Sequence, residues 1–259
     1  MKLRIGVDPD NALARSFTAL ERQQLPFAAM QAANATAWEI RQRWAEIMPR
    51  VFDRPTPLTM RAVVYEKATK SKPYAVVKIR DEAFKGTPPA KYLQAQVYGG
   101  SRATKAFEKR LQAAGLMPAG MQAVPGRGAQ LDAFGNIAGS QMNKILSQLG
   151  ARFDPLQNET AESRARRQRR EAKRGDRRGD YFAVPKQSKG LRPGIYQRVR
   201  TGFGSAVRII MAFVRPATYK ARYPIFQLAE RMYAQIFKFQ LERELAKAVE
   251  NAKFKGGSL

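Results

Sequence analysis

"YPIFQLAERMYAQIFKFQLERELAKAVENA", residues 223–252, repeats its apolar side chains at helical spacing. Phe226, Leu228, Met232, Tyr233, Ile236, Phe237, Leu241, Leu245 and Val249 make one broad apolar face, which predicts a long helix that must bury it. A second such pattern follows Pro26, a residue suited to the first turn of a helix: Phe27, Met30, Ala33, Ala37, Ile40, Trp44, Ile47 and Val51. Both tryptophans, Trp38 and Trp44, fall in it. The segment "DRPTPL" at 53–58 ends that helix, because its prolines remove amide donors and push their neighbours into extended conformations.

Strand signals lie between and before the two helices. Leu3, Ile5 and Val7 alternate with polar or small residues up to Asp-Pro-Asp at 8–10, and a short helix is expected through Leu20. Residues 62–66 and 74–80 are rich in Val and Tyr and are joined by "TKSKP", which reads as a β-hairpin. Three later stretches, 181–184, 194–199 and 207–215, have the same texture and can complete the sheet begun by that hairpin. The expectation is an α+β fold in which a mostly antiparallel sheet is covered by long N- and C-terminal helices. Residues 1–81 and 181–259 form this core, and 82–180 are a helical and Arg-rich loop insertion between the two halves of the sheet. Within the insertion, short helices flank Gly99-Gly100, a glycine-rich stretch runs over 125–140 and a further helix is expected at 141–149.

Composition narrows the chemistry. At 44% hydrophobic residues, 259 residues can bury a genuine core. Lys+Arg 47 against Asp+Glu 21 gives a formal net charge of +26, which favours polyanionic partners. Cys 0 excludes disulfides and thiolate chemistry, while His 0 removes the commonest general base and metal ligand. Glu66, Asp81 and Glu82 stand near predicted strand ends without the spacing of an acid-base pair, so no catalytic, metal or cofactor residue is assigned. The expected protein is not an enzyme. The first 16 residues hold no apolar stretch of signal-peptide length and the longest apolar run, 209–214, cannot span a bilayer, so a soluble protein without a membrane partner is expected.

The densest charge is "ESRARRQRREAKRGDRRGDYF" at 162–182. Arg164, Arg166, Arg167, Arg169, Arg170, Lys173, Arg174, Arg177 and Arg178 are candidate contacts to DNA or to an acidic partner. The competing reading is a solvated loop or frayed helix kept extended by self-repulsion. Two Arg-Gly-Asp triplets, at 174–176 and 178–180, follow from the local composition alone. Gly99-Gly100, the "GRG" at 126–128 and "GNIAG" at 135–139 lack phosphate-loop or dinucleotide spacing and read as turns. Trp38, Trp44, Tyr223, Phe226, Tyr233 and Phe237 are candidates for core packing or a subunit interface.

Three features resemble the lambda-type minor tail protein Z family of phage tail-completion proteins. They are "AAMQAANATAWEIRQR" at 28–43, an Arg/Lys-rich block before late strands, and "RYPI" at 222–225 leading into the terminal helix. "KYLQAQVYGGSRATKAFEKRLQAAG" at 91–115 also looks like tail or neck proteins of prophages. The resemblance implies a structural virion protein at the head-proximal end of the tail, assembled in the host cytoplasm and supporting head-tail joining and DNA delivery. It implies no catalytic site and no cofactor. Its implied partners are the tail terminator, tail tube and connector, with a homo-oligomer, by analogy a hexameric ring, and contact with genome DNA. Charge alone leaves a second reading open, a sequence-independent nucleic-acid-binding protein.

Overall fold

Leu3 and Ile5 lie in strand β1 (Lys2–Gly6) of the computed structural model, which describes residues 1–6, 19–84 and 86–256. The turn expected at 8–10 and most of the short helix expected before Leu20 fall outside the described residues. The chain forms two units, Met1–Gly100 with Tyr219–Leu259, and Ser101–Thr218.

In the first unit, β1 and β2 (Val63–Glu66) flank β3 (Tyr74–Ile79) in an antiparallel sheet ordered β1-β3-β2. The long helices are α1 (Ala19–Val51) and α8 (Ile225–Gly256). Helix α1 starts before Pro26, so that proline lies inside the helix and not in its first turn. Ala28, Ala32, Ala33 and Ala37 are all fully buried, and such small side chains let another backbone approach closely. Leu25 and Ala28 pack on Leu245 and Ala248, while Trp44 meets Phe226 edge-on at 6.3 Å, so α1 and α8 run antiparallel. Their shared core takes in Ile40, Trp44, Met48, Tyr223, Ala229 and Phe237 together with Ile5, Val63, Val77 and Ile79 of the sheet. Three short helices complete this unit: α2 (Pro57–Met60), α3 (Pro89–Tyr92) and α4 (Gln94–Tyr98).

The second unit has its own sheet, which corrects the expected topology. Strands β5 (Arg178–Val184), β6 (Gly194–Thr201) and β7 (Gly204–Val214) do not join the β2–β3 hairpin. They pair instead with β4 (Gln122–Pro125), a strand too short to stand out beside its glycine-rich neighbour, in the order β4-β7-β6-β5. The boundaries expected at 81 and 181 therefore lie at 100 and 218. Side-chain period specifies a strand and its faces but not the sheet it joins. Helices α5 (Ala106–Ala113) and α6 (Gly139–Gln148) supply Phe107, Leu111, Ile145 and Leu146 to a core with Tyr181, Ile195, Ile210 and Phe213. The remaining α-helix, α7 (Ala161–Lys173), carries the first part of the arginine block, whose end enters β5. No helix among the described residues is long and apolar enough to cross a membrane.

Gly194 shows how tightly β6 and β7 approach. A Cβ there would stand 2.4 Å from the Met211 carbonyl oxygen, and a backbone atom cannot swing away as a side chain does. Gly194→Ala is expected to destabilise the second unit by about 1–3 kcal/mol, read as a lowered thermal midpoint. Gly139→Ala, where a Cβ meets nothing within 4 Å, serves as the control and should not lower it.

Candidate functional site

Arginine is a good helix former, and Thr160 starts α7 as its cap. The Thr160 hydroxyl accepts from the Ser163 amide at 3.2 Å, and the Ser163 hydroxyl accepts from the Thr160 amide at 2.9 Å. Residues 161–173 of the block thus form a capped helix in place of the Arg-rich loop expected from sequence, and 174–177 remain a loop leading into β5. At 100° per residue its charges separate onto two sides. Arg164, Arg167, Gln168 and Glu171 share one side, and Arg166, Arg169, Arg170 and Lys173 share the other.

The inner side is neutralised. Arg167 is buried and its guanidinium meets three carboxylates: Glu159 at 2.6 Å, Glu171 at 2.9 Å and Asp180 at 2.5 Å. The Glu159 hydrogen bond, opposed by burial and joined by that to Asp180, raises the Arg167 pKa above its ordinary value. Burial alone would raise the Asp180 carboxyl, but hydrogen bonding and charge from Arg167 bring it below its ordinary value. Lys144 of α6 reaches Glu171 at 3.2 Å, and Arg164 reaches Glu159 at 3.6 Å. Arg178 grips Asp176 with two parallel bonds of 2.9 Å, and these hold the Asp176 carboxyl at about 2. Both Arg-Gly-Asp triplets therefore spend their aspartates inside the protein. Arg167 is withdrawn from the set of candidate contacts because a buried guanidinium already holding three carboxylates has nothing left to offer. Arg164 and Arg178 keep about half their side-chain exposure but carry internal partners.

The outer side is different. Arg166, Arg169, Arg170 and Lys173 are exposed, as are Arg174 at the C-cap and Arg177 beyond the helix, and none of the six has an ion-pair partner among the described residues. Beyond the turn at Gly175, the Arg177 carbonyl accepts from the Arg200 amide at 2.8 Å, continuing the register that pairs Arg178 with Val199. Two arginines thus face each other across the β5–β6 edge, an arrangement that repels. Next to Arg200 on that face, Arg198 lies over the Phe182 ring at 5.0 Å, and Phe182 stacks on Tyr196 at 5.7 Å. An open pocket of about 410 Å³ takes Lys144, Arg170, Arg174 and Arg178 into its wall. Lys144, Arg198 and Arg200 were not among the residues singled out from sequence. Strand pairing and helix packing bring them in from outside the block, and no local pattern marks such contacts.

The aromatic candidates lie in the first unit. Trp44 and Tyr223 are fully buried, and the Tyr223 hydroxyl donates to the Trp44 carbonyl at 2.8 Å. Phe237 is buried with Tyr233 stacked on it at 4.8 Å, and Phe226 is partly buried beside Trp44. Trp38 is 46% exposed, and so is Phe27 three turns earlier on the same side of α1.

Glu66, near the end of β2, is held ionised. Glu66 meets Lys72 at 2.8 Å and Lys78 at 3.0 Å, and their hydrogen bonds bring its pKa to about 2. General acid-base work near neutral pH asks for the opposite shift. Among the described residues no group of three or more acidic residues is arranged to hold a metal ion. No family model, curated protein or solved structure matches this chain.

Proposed function

We propose that the chain is a structural phage virion protein of the tail-completion or neck type, acting at the head-proximal end of the tail in head-tail joining and DNA delivery. The observation that carries the reading is where the family-like residues lie. Residues 28–43 are in α1 and residues 222–225 lead into α8, and these two helices pack along each other as the body of the first unit. The segment at 222–225 is fixed in place: the Arg222 and Tyr223 amides both donate to the Gln96 carbonyl at 2.9 Å. Two of the three family-like features thus fall on one packed element pair, while the Arg/Lys-rich block lies in the second unit. The exposed Phe27 and Trp38 on α1 support a homo-oligomer, because aromatic side chains are enriched at subunit contacts. The tail terminator, tail tube and connector are the partners this role implies. The work is mechanical and asks for no cofactor.

Deleting the gene from its native replicon tests the role directly. After induction, particles should be non-infectious, seen by negative stain either as unjoined heads and tails or as joined particles that do not deliver DNA. Fully infectious particles that lack the protein would end the proposal.

A further inference from the structure

We infer that the outer side of α7 is a docking surface for the phosphate backbone of double-stranded nucleic acid, with the pocket at its C-terminal end taking one phosphate. This inference stands on the second unit alone and does not depend on the tail-completion reading.

The argument starts from an imbalance within one helix. On its inner side every cation has a carboxylate, supplied from Glu159, Glu171 and Asp180. On its outer side Arg166, Arg169, Arg170 and Lys173 form pairs three and four residues apart, where like charges weaken a helix. A helix that needed only solubility would intersperse signs, as the Lys238–Glu242 and Lys247–Glu244 pairs of α8 do. The four outer cations cover about 10 Å of helix, the axial length of about three phosphates on one strand of a duplex. Just past the helix, Arg177 and Arg200 add a second like-charged pair whose repulsion a bound anion would relieve.

The pocket supplies the closest point of approach. Within it Glu171 is already held by Arg167 and Lys144, and Asp176 by Arg178, which leaves Arg170 and Arg174 uncompensated. Guanidiniums recognise phosphate oxygens in a bidentate manner, so this concave cluster suits a phosphate. No aromatic residue lies in α7, and base stacking is therefore no part of the contact. The expected binding is to the backbone, indifferent to sequence and steeply dependent on salt.

Fluorescence anisotropy of the full-length protein on a labelled duplex of mixed sequence, repeated over a salt series, tests this. Removing three outer charges (Arg166→Gln, Arg169→Gln, Lys173→Gln) should flatten the slope of log affinity against log salt by about 2.7 and weaken binding at least about tenfold at low salt. The control removes three exposed charges elsewhere in the same unit (Lys186→Gln, Lys189→Gln, Arg192→Gln) and should leave the slope nearly unchanged. The thermal midpoint of the control triple should match the parent and that of the outer triple should match or exceed it, since none of the six side chains has an ion-pair partner among the described residues and the outer charges repel. Equal losses in both triples would reduce the effect to bulk charge and overturn the assignment. So would the absence of duplex binding by the parent, or equally tight binding of poly-L-glutamate, which would indicate an acidic protein surface as the true partner.

Discussion

Replacing Arg167 with methionine is expected to cost the second unit about 3–5 kcal/mol, the largest loss of any single arginine in the block. Arg167 and Glu159 each keep only about a tenth of their side-chain exposure, at 11% and 9%. Methionine fills much of the space but leaves Glu159, Glu171 and Asp180 facing one another without a cation at their centre. Lysine should rescue little, because one ammonium cannot reproduce the fork that reaches three carboxylates at once. Arg166→Gln, one residue away and on the opposite side, should leave stability unchanged or raise it by relieving repulsion. The acid limb gives a second readout. Asp180 has a folded-state pKa below its ordinary 3.8, so its contribution is fully present above that value and is lost as pH falls through the lower folded value. In Arg167→Met this contribution is gone, and protonating any of the three carboxyls relieves repulsion. The variant should therefore be weakest at neutral pH and close part of its gap to the parent as pH falls through the carboxylate range. Urea titrations of the parent and the three variants at pH 7 and in acid decide the matter; equal stability of Arg167→Met and Arg166→Gln at pH 7 would contradict the assigned roles.

These neighbours also show what the sequence can and cannot reveal. Arg166 and Arg167 are the same residue type in the same run, yet one is exposed and the other buried. The i, i+4 pair of Arg167 with Glu171 was available to sequence reasoning, and a helical reading of the block would have placed both on one side. Glu159 and Asp180 were not, since the first precedes the helix cap and the second returns along β5. Elements with strong periods were legible: the β2–β3 hairpin, α1 and α8 each carry their pattern over enough residues to outweigh local noise. Sheet membership was not, because the alternation in β5, β6 and β7 is the same whether they extend the first sheet or build a second. The decisive partner, β4, has only four residues, two of them Gln122 and Pro125, which carry little strand preference. Pro26 misled for a different reason: its preference for a first turn is a local tendency, and α1 begins ahead of it, packed along α8.

Excising Ser101–Thr218 is expected to leave a first unit that still folds cooperatively. The amide and carbonyl of Gly100 bond to those of Tyr219 at 3.0 and 2.9 Å, so the two cut ends already form a hydrogen-bonded antiparallel pair. Such pairs hold their Cα atoms about 5.5 Å apart, a gap that a two-residue turn closes without strain. The first unit's sheet, both long helices and the Trp44–Tyr223 core all lie outside the excised segment. An Asn-Gly link in place of 101–218 should give a helix-rich protein with a single sharp thermal transition and dispersed amide resonances. The complementary fragment, 101–218, should fold as well, because it holds its own four-stranded sheet and apolar core. Its ends are likewise close, with the Ser101 hydroxyl donating to the Ala217 carbonyl at 3.1 Å. A molten first unit, with helical circular dichroism but no sharp transition, would mean that the division into units is geometric and not energetic. If both fragments fold, the two proposed activities become separable. Duplex binding with its full salt slope should follow 101–218, while self-association through Phe27 and Trp38 of α1 should follow the closed first unit.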